Sequence, residues 1–273
     1  MKFWSLLMLA IAFAGCTLNN VTKDDSLKQY FDEYDATGCF ALLDNGTNEF
    51  KIYNLPRFRD SSYLPASTFK IVNSLIGLQT GIIVNDSMVI KWDSIDRGRK
   101  ECNKDMTMYE AFRLSCPPWY MELARRIGKD TMQLWLDSLS YGKQDNAAFK
   151  IQQNLDTFWL DNSLQITPDE QLGLVKKLYF NQLPFHRVNQ DMVKSAMLWE
   201  DNSNYRLSYK TGWGKMKNGH QLGWCIGWIE ENNHPYFFVL NIESADAGFN
   251  MPAARLSILK NILTKYDFFK GIK

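Results

Sequence analysis

Strand-like runs stand at both ends of this chain, and the segment between them has a helical pattern. Near the start, the Asn-Gly pair in Asp44-Asn45-Gly46 favours the positive φ angles of a hairpin turn between two apolar runs. Three further runs follow near the end, separated by Gly, Asn and Pro. The five runs span residues 38–43, 50–53, 206–210, 223–229 and 236–242. They predict an antiparallel sheet of five or more strands, built from both ends of the chain.

The helical pattern is clearest at Thr167-Pro168-Asp169-Glu170, a capping box with Pro at the first helical position, which opens a helix to about Phe180. Residues 118–127, 131–139 and 252–266 are also predicted as helices, the last packing on the sheet. The fold class is therefore α/β plus α: an antiparallel sheet flanked by helices, with an inserted all-helical lobe. We expect one domain over 29–273, with a sheet lobe over 29–80 and 203–273 and a helical lobe over 81–202. The cleft between the lobes is the expected site.

The N-terminus has the pattern of an export signal. Met1-Lys2 precedes an apolar run over 3–14, and small residues follow it, which predicts a signal peptide over 1–15. Ala14-Gly15-Cys16 resembles a bacterial lipobox, in which the Cys becomes the lipidated first residue of the mature chain. Residues 16–28 are predicted as a polar tether. We expect an exported, periplasmic protein, with attachment to a membrane through a lipid on Cys16 as one outcome.

Charge and cysteine content limit the function classes. Lys and Arg number 31 and Asp and Glu 30, for a net charge of +1, which offers no field for a nucleic-acid partner. The cysteines Cys39, Cys102, Cys116 and Cys225 form no C-x-x-C and no zinc-like spacing, so no metal is expected. Buried free thiols are the favoured interpretation, although an exported protein could pair some of them. The oligomeric state is left open.

The segment Ser67-Thr68-Phe69-Lys70 is the first candidate for chemistry. A Ser and a Lys three residues apart share one face of a helix, so the amine can reach the hydroxyl. The chain has three such pairs, the others being Ser140/Lys143 in a predicted turn and Ser257/Lys260 on an amphipathic helix. The helix after Ser67 has almost no polar face, which predicts burial of Lys70. Desolvation should lower the pKa of Lys70 and make the amine a base or nucleophile near neutral pH, whereas a capping Ser with a solvent-reaching Lys is the ordinary alternative.

Two further elements are candidates. Lys210-Thr211-Gly212 lies at the end of a predicted strand, where a cation, a hydroxyl and a residue without a side chain suit an anion; an ordinary turn is the alternative. Ser115 stands before two prolines and would by itself be a helix cap. A Ser-His-Asp triad is poorly supported, because the three His residues fall in polar, loop-like segments and no G-x-S-x-G occurs.

Together these elements resemble the site of the penicilloyl-serine transferases, and within that group the chain is similar to class D, oxacillinase-type β-lactamases. The resemblance runs from about Gly38 to Phe268. The matching segments are Tyr63–Lys70, Ile76–Gly81, Trp92-Asp93, Tyr141-Gly142, Phe158–Leu160, Lys210–Gly212 and Gly227–Glu230. It implies opening of the β-lactam ring of penicillin-type antibiotics through an ester on Ser67, with resistance as the biological result.

The resemblance also implies roles for individual residues. The catalytic residues would be Ser67, Lys70, Ser115 and Lys210, with CO2 or bicarbonate needed to carboxylate Lys70 as the general base and no other cofactor. The indole of Trp159 would stabilise that carbamate. The backbone N–H groups of Ser67 and Trp213 would bind the oxyanion. Binding of the antibiotic is assigned to a second group: Thr211, Gly212, Trp213 and Arg255.

Two positions differ from the family pattern. Ser115-Cys116-Pro117 replaces Ser-x-Val, and Tyr141-Gly142-Lys143 replaces Tyr-Gly-Asn. Both differences bear on how stably Lys70 keeps its carbamate and how fast the acyl-enzyme turns over. They keep a second hypothesis open, a β-lactam sensor that is acylated but deacylates slowly. A penicillin-binding peptidase is a third hypothesis that the class D motifs favour less. The range of antibiotics accepted is left open by the sequence.

Overall fold

The computed structural model describes residues 20–273, so the predicted signal peptide over 1–15 and the predicted lipidation site Cys16 lie outside the described residues. The strands are β1 Val21–Lys23, β2 Thr37–Asp44, β3 Phe50–Tyr53, β4 Val89–Ile90, β5 Met106–Thr107, β6 Lys143–Gln144, β7 Ala147–Ala148, β8 Leu198–Asp201, β9 Arg206–Lys215, β10 Gln221–Glu231 and β11 His234–Ser244. The α-helices are α1 Lys28–Asp32, α2 Leu55–Asp60, α3 Lys70–Gln79, α4 Met108–Leu114, α5 Pro117–Ile127, α6 Lys129–Leu139, α7 Pro168–Tyr179, α8 Arg187–Met197 and α9 Met251–Lys265.

One seven-stranded sheet forms the centre of the molecule, in the order β1-β3-β2-β11-β10-β9-β8. Every pairing in it is antiparallel except that of β1 with β3, which is parallel. The predicted sheet built from both ends of the chain is confirmed. Strands β10 and β11 are buried along almost their whole length, because α9 packs on one face of the sheet and α7 on the other.

The structure places three segments differently from the predicted division into tether and lobes. Residues of the predicted tether enter the fold: Val21 pairs with Phe50, and the Leu27 side chain is fully buried. Helix α3, assigned to the sheet lobe, packs against α5 and α8. Helix α7, assigned to the helical lobe, packs on β10 and β11 instead. All residues of α3 from Lys70 to Leu78 are buried, and a helix buried on every side must pack against neighbouring elements on every side.

The first hairpin turns where the sequence predicts, but not through the predicted residues. Positive φ occurs at Asn48 rather than at Asn45 or Gly46. The turn is instead organised by Asp44 Oδ1, which accepts hydrogen bonds from the backbone N–H groups of Gly46 at 2.8 Å and Thr47 at 3.3 Å. Such an Asx turn replaces the Asn-Gly type because the carboxylate supplies the acceptor.

The predicted helix starts agree with α5, α6, α7 and α9 to within two residues. The capping box of α7 is complete: Glu170 N–H donates to Thr167 Oγ1 at 3.1 Å and Thr167 N–H to Glu170 Oε2 at 2.7 Å. The expectation of free cysteines holds only in part. Cys39 and Cys225 are buried and free, whereas Cys102 and Cys116 form a disulfide with their Cα atoms 5.7 Å apart. The sequence could not give this pairing, because it depends on a loop folding back onto the start of α5.

Within 20–273, no helix is both long enough and apolar enough to span a membrane.

Candidate active site

The segment around Ser67 is a tight turn held from two sides. Residues Ala66–Phe69 form a 3-10 helix that runs directly into α3. Ala66 has φ 50°, a left-handed conformation that is costly for a residue with a Cβ, and its N–H donates to the Trp159 carbonyl at 3.0 Å. On the other side, Gln171 Nε2 donates to Thr68 Oγ1 at 2.6 Å. These two contacts fix the turn that carries the half-buried Ser67 side chain.

Lys70 is fully buried at the first position of α3, where every residue from Lys70 to Leu78 is buried. Its Nζ lies 2.7 Å from Ser67 Oγ, so the predicted contact and the predicted burial are confirmed. Burial lowers the pKa of Lys70 well below its ordinary value of 10.5, and the positive charges of Lys210 and Arg99 lower it further. The amine can therefore be neutral near pH 7, as a base must be.

Ser115 connects the two buried lysines. Its Oγ lies 3.3 Å from Lys70 Nζ and 2.9 Å from Lys210 Nζ, while its carbonyl accepts from Lys70 Nζ at 3.1 Å. The residue follows the end of α4 in a left-handed conformation, with φ 56° and ψ 44°. Its N–H donates to the Phe112 carbonyl and the next N–H to the Ala111 carbonyl, which is a Schellman motif. Ser115 is thus both a helix cap and part of the site.

Lys210 lies on β9 with 4% of its surface exposed. Its Nζ donates to Ser115 Oγ and, at 3.1 Å, to the Thr211 carbonyl. Burial lowers the pKa of Lys210 to about 7, with a smaller contribution from the positive charge of Arg255. Lys210 can therefore exchange a proton with Ser115 near neutral pH.

This pKa gives a prediction for stability. Between about pH 7 and 10.5 the unfolded chain holds a proton on Lys210 that the folded chain has lost, so the free energy of unfolding rises with pH by about 1.4 kcal/mol per unit. Lys210→Met removes the titrating amine and keeps most of the length of the unbranched side chain. We expect the wild type to gain roughly 2 kcal/mol over this variant between about pH 7.5 and 9.5 in urea unfolding. A difference independent of pH would contradict the shifted pKa.

Gly212 has a different role from the one that the sequence suggested. A Cβ at Gly212 would lie 3.0 Å from Trp224, 3.1 Å from the Pro65 carbonyl and 3.2 Å from Thr68. The missing side chain thus lets β9 approach the Ser67 turn. Protein atoms fill the space at the Cβ position, so the prediction that a ligand approaches there is wrong. Gly214 packs similarly, with a Cβ position 2.7 Å from Leu64. The Trp213 backbone, between the two glycines, is brought beside the nucleophile's turn.

The remaining predicted residues border this cluster. Trp213 is 49% exposed, and its indole N–H donates to Gln221 Oε1 at 2.9 Å. Arg255, on α9, donates from Nη1 to the Gly212 carbonyl at 2.6 Å, while its buried Nε has no partner. Thr211 is half-buried on β9. The Arg255 guanidinium therefore lies against the Lys210–Gly212 segment of β9.

Trp159 packs against the turn that carries Ser67. It is fully buried and stacks on Phe69, the residue before Lys70, with ring centroids 5.1 Å apart. Its indole N–H has no hydrogen-bond partner among the described residues. An unpaired buried donor is costly, so its presence here indicates that an acceptor belongs beside it.

Several residues that shape the site were not identified from the sequence. Tyr120 places its ring 5.4 Å from Lys70 Nζ, and Arg99 donates to the carbonyls of Leu114 at 3.1 Å and Ser115 at 3.4 Å. Gln171, inside α7, was overlooked although a polar residue on the buried face of an amphipathic helix is a usable signal. Nothing local to Arg99 indicates its position. In the described part of the chain, no three His, Cys, Asp or Glu side chains cluster as metal ligands would.

Comparisons with known proteins agree with this geometry. The family model of the penicillin binding protein transpeptidase domain matches residues 33–264. β-Lactamase OXA-10 of Pseudomonas aeruginosa is 31% identical over 272 residues, which cover 99% of this chain and 98% of that protein. The crystal structure of the class D β-lactamase YbXI from Nostoc superposes with a TM-score of 0.83 at 34% identity, over 90% of this chain and 100% of that one.

A receptor domain is also similar. The C-terminal domain of the Bacillus licheniformis BlaR penicillin-receptor superposes with a TM-score of 0.81 at 31% identity, over 90% of this chain and 96% of that one. The fold, the hydrogen-bonded cluster of Ser67, Lys70, Ser115 and Lys210, and these similarities lead to one conclusion: the chain belongs to the class D β-lactamase family of penicillin-binding transpeptidase domains.

Proposed function

We propose that this protein hydrolyses the β-lactam ring of penicillin-type antibiotics through a covalent acyl-Ser67 intermediate, and so gives resistance to them. The observation that carries the proposal is the 2.7 Å contact between Lys70 Nζ and Ser67 Oγ at a lysine with 0% exposure. A neutral amine in that position removes the hydroxyl proton as the oxygen attacks.

Acylation follows from the contacts. Ser67 Oγ attacks the lactam carbonyl carbon, and the proton of the Ser67 hydroxyl passes to the Lys70 side chain. The oxyanion is stabilised by the backbone N–H groups of Ser67 and Trp213. Collapse of the tetrahedral intermediate breaks the C–N bond of the lactam. Ser115, which is hydrogen-bonded to Lys70 and Lys210, then gives a proton to the departing nitrogen. Lys210, Thr211 and Arg255 bind the antibiotic's carboxylate at the end of the cleft.

We further propose that Lys70 is carboxylated by CO2. Two features support the fit. Burial lowers the pKa of Lys70, and only a neutral amine adds CO2. The buried indole N–H of Trp159 has no partner among the described residues, and the Trp159 ring stacks on Phe69, the residue before Lys70. When present, the carbamate supplies a carboxylate base beside Ser67. The residues that would hold it are Lys70 itself and the Trp159 donor. No metal and no organic cofactor is included in the proposal.

The cellular location is likewise a proposal. The pattern of residues 1–16 supports export to the periplasm, with removal of residues 1–15 and lipid attachment at Cys16 as the anchoring route. The described domain would then act outside the inner membrane, where β-lactam antibiotics meet their targets.

The second candidate function is that of a β-lactam sensor, whose serine is acylated by the antibiotic but deacylates slowly. Two observations favour it: the similarity to the BlaR receptor domain, and Pro117 and Lys143 at positions where the family pattern has Val and Asn. Pro117 is the first residue of α5, directly after Ser115-Cys116, and Lys143 pairs with Gln165 through both backbone groups. Pro117 therefore lies two residues from Ser115, whereas Lys143 lies on β6 beside Gln165.

To test the proposal, the purified protein is mixed with a penicillin in the presence of bicarbonate. Opening of the β-lactam ring and the intact mass of the protein are then measured together. We expect many turnovers per protein molecule and a transient adduct. Ser67→Ala is the control and should show neither adduct nor turnover. One equivalent of stable adduct, without turnover, would establish the sensor function instead.

A further inference from the structure

A short segment outside the nucleophile's own elements contacts Ser115 from the solvent side. Residues Lys100–Cys102 form a 3-10 turn that lies against α4. At its start, Arg99 donates to the carbonyls of Leu114 and Ser115. At its end, Cys102 is bonded to Cys116, the residue directly after Ser115. We call residues 99–102 with this disulfide the Ser115 clamp.

The backbone at Ser115 gives the clamp something to hold. A serine in the left-handed region is less stable there than a glycine would be, because its Cβ crowds the backbone. The Schellman hydrogen bonds supply part of the restraint. The clamp adds a covalent bond on one side of Ser115 and a guanidinium on its carbonyl, the same carbonyl that accepts from Lys70 at 3.1 Å.

We propose that the Ser115 clamp positions Ser115 for proton transfer: Arg99 and the Cys102–Cys116 disulfide hold its left-handed turn so that Oγ stays between Lys70 and Lys210. Arg99 and the two cysteines are thus positioning residues, and none touches the reacting atoms. The proposal rests on the proposed function, since it concerns the same reaction.

The geometry explains why this position needs support. Ser115 Oγ has to remain 3.3 Å from one amine and 2.9 Å from the other, and rotation of the turn out of the left-handed region would move it away from both. Proton transfer requires hydrogen-bond contact between donor and acceptor, so loss of these two contacts would slow the transfer by a large factor. Arg99 is itself oriented by Glu101, which accepts from its Nε at 2.9 Å.

The disulfide borders a surface cavity, but both of its cysteines are buried, with 5% of Cys102 and 0% of Cys116 exposed. Cys102 lines a surface cavity of about 250 Å³, together with Trp92, Met106, Pro118 and Trp119. This cavity is the route by which a soluble dithiol such as dithiothreitol would approach Cys102. Reduction would break the S–S bond and leave thiols on Cys102 and Cys116, with the dithiol oxidised to its cyclic disulfide. The free cysteines Cys39 and Cys225 are buried and form no disulfide.

The test compares Cys102→Ala/Cys116→Ala and Arg99→Ala with the wild type. Active sites are counted by titration with a penicillin, and acylation and deacylation rates are measured per titrated site. We expect acylation to slow about tenfold to a hundredfold in both variants, deacylation to change less, and Arg99→Lys to recover part of the loss. Arg97→Ala is the matched control, because Arg97 pairs with Asp93 and makes no contact with Ser115.

A merely structural role predicts a different result: fewer titratable sites and a lower Tm, with normal rates at each site. Per-site acylation within about twofold of wild type in both variants would overturn the proposal. If the double alanine variant does not fold, the folded wild type is treated with dithiothreitol, and reduction is confirmed by alkylation and mass. Slowed acylation supports the clamp, and unchanged acylation of the reduced protein overturns it. Complete absence of acylation in the untreated wild type would instead reject the proposed function.

Discussion

Replacing Lys70 with alanine should lower kcat for penicillin opening by about a thousandfold or more. The amine, with or without its carboxyl group, is the base nearest to Ser67 Oγ, and the other contacts of the cluster do not replace it. Added bicarbonate should not restore activity, because the variant has no amine to carboxylate. Steady-state kinetics and intact mass after mixing with a penicillin measure the loss. Unchanged hydrolysis would remove Lys70 from the mechanism.

The same substitution should spare the fold. Deleting a fully buried side chain leaves a cavity that costs about 2–4 kcal/mol, but it also removes a group whose charged form is penalised by burial. Circular dichroism should therefore be native, with a modest shift in Tm. Lys260→Ala is the matched control, since Lys260 also follows a Ser by three residues but is exposed and pairs with Glu200 at 2.8 Å. Its activity should stay within about twofold of wild type.

The contrast between these lysines shows what sequence patterns can decide. Three Ser-x-x-Lys pairs are equivalent by spacing, and the hydrophobic character of the surrounding helix distinguishes them. Ser140 ends α6 in a left-handed turn and Lys260 reaches solvent, as their contexts indicated, whereas Lys70 is buried. Periodicity predicts burial because it reports which faces of a helix need apolar neighbours. The fold class was predictable for the same reason.

Other features of the site depend on contacts between distant segments. The Cys102–Cys116 bond, the Arg99 contact with Ser115 and the packing of Gly212 against Pro65 each join elements that no local pattern relates. Four cysteines allow several pairings, so the sequence could name the thiols but not the bond. The role of Gly212 was misassigned because a missing Cβ indicates a close approach without indicating by what.

Ser115 combines these two kinds of information. As a serine before prolines it has the pattern of an N-cap, but the structure makes it the C-cap of α4, and Cys116 is the N-cap of α5. Its hydroxyl is nevertheless directed at two buried amines because the cap is left-handed, a conformation usually given to glycine. Where a chain keeps a less stable residue at such a position, the side chain is a candidate for function.

This leads to a pair of substitutions at Ser115 that separates the hydroxyl from the backbone. Ser115→Ala and Ser115→Gly both remove the proton carrier, so both should slow acylation by about a hundredfold to a thousandfold. Glycine accepts the left-handed conformation without strain, whereas alanine does not, so the glycine variant should be the more stable of the two by about 1 kcal/mol in urea unfolding. If the hydroxyl carries the proton, this gain in stability will not recover activity. If Ser115 only shapes the turn, the glycine variant will acylate at nearly the wild-type rate, and the relay between Lys70 and Lys210 must be abandoned.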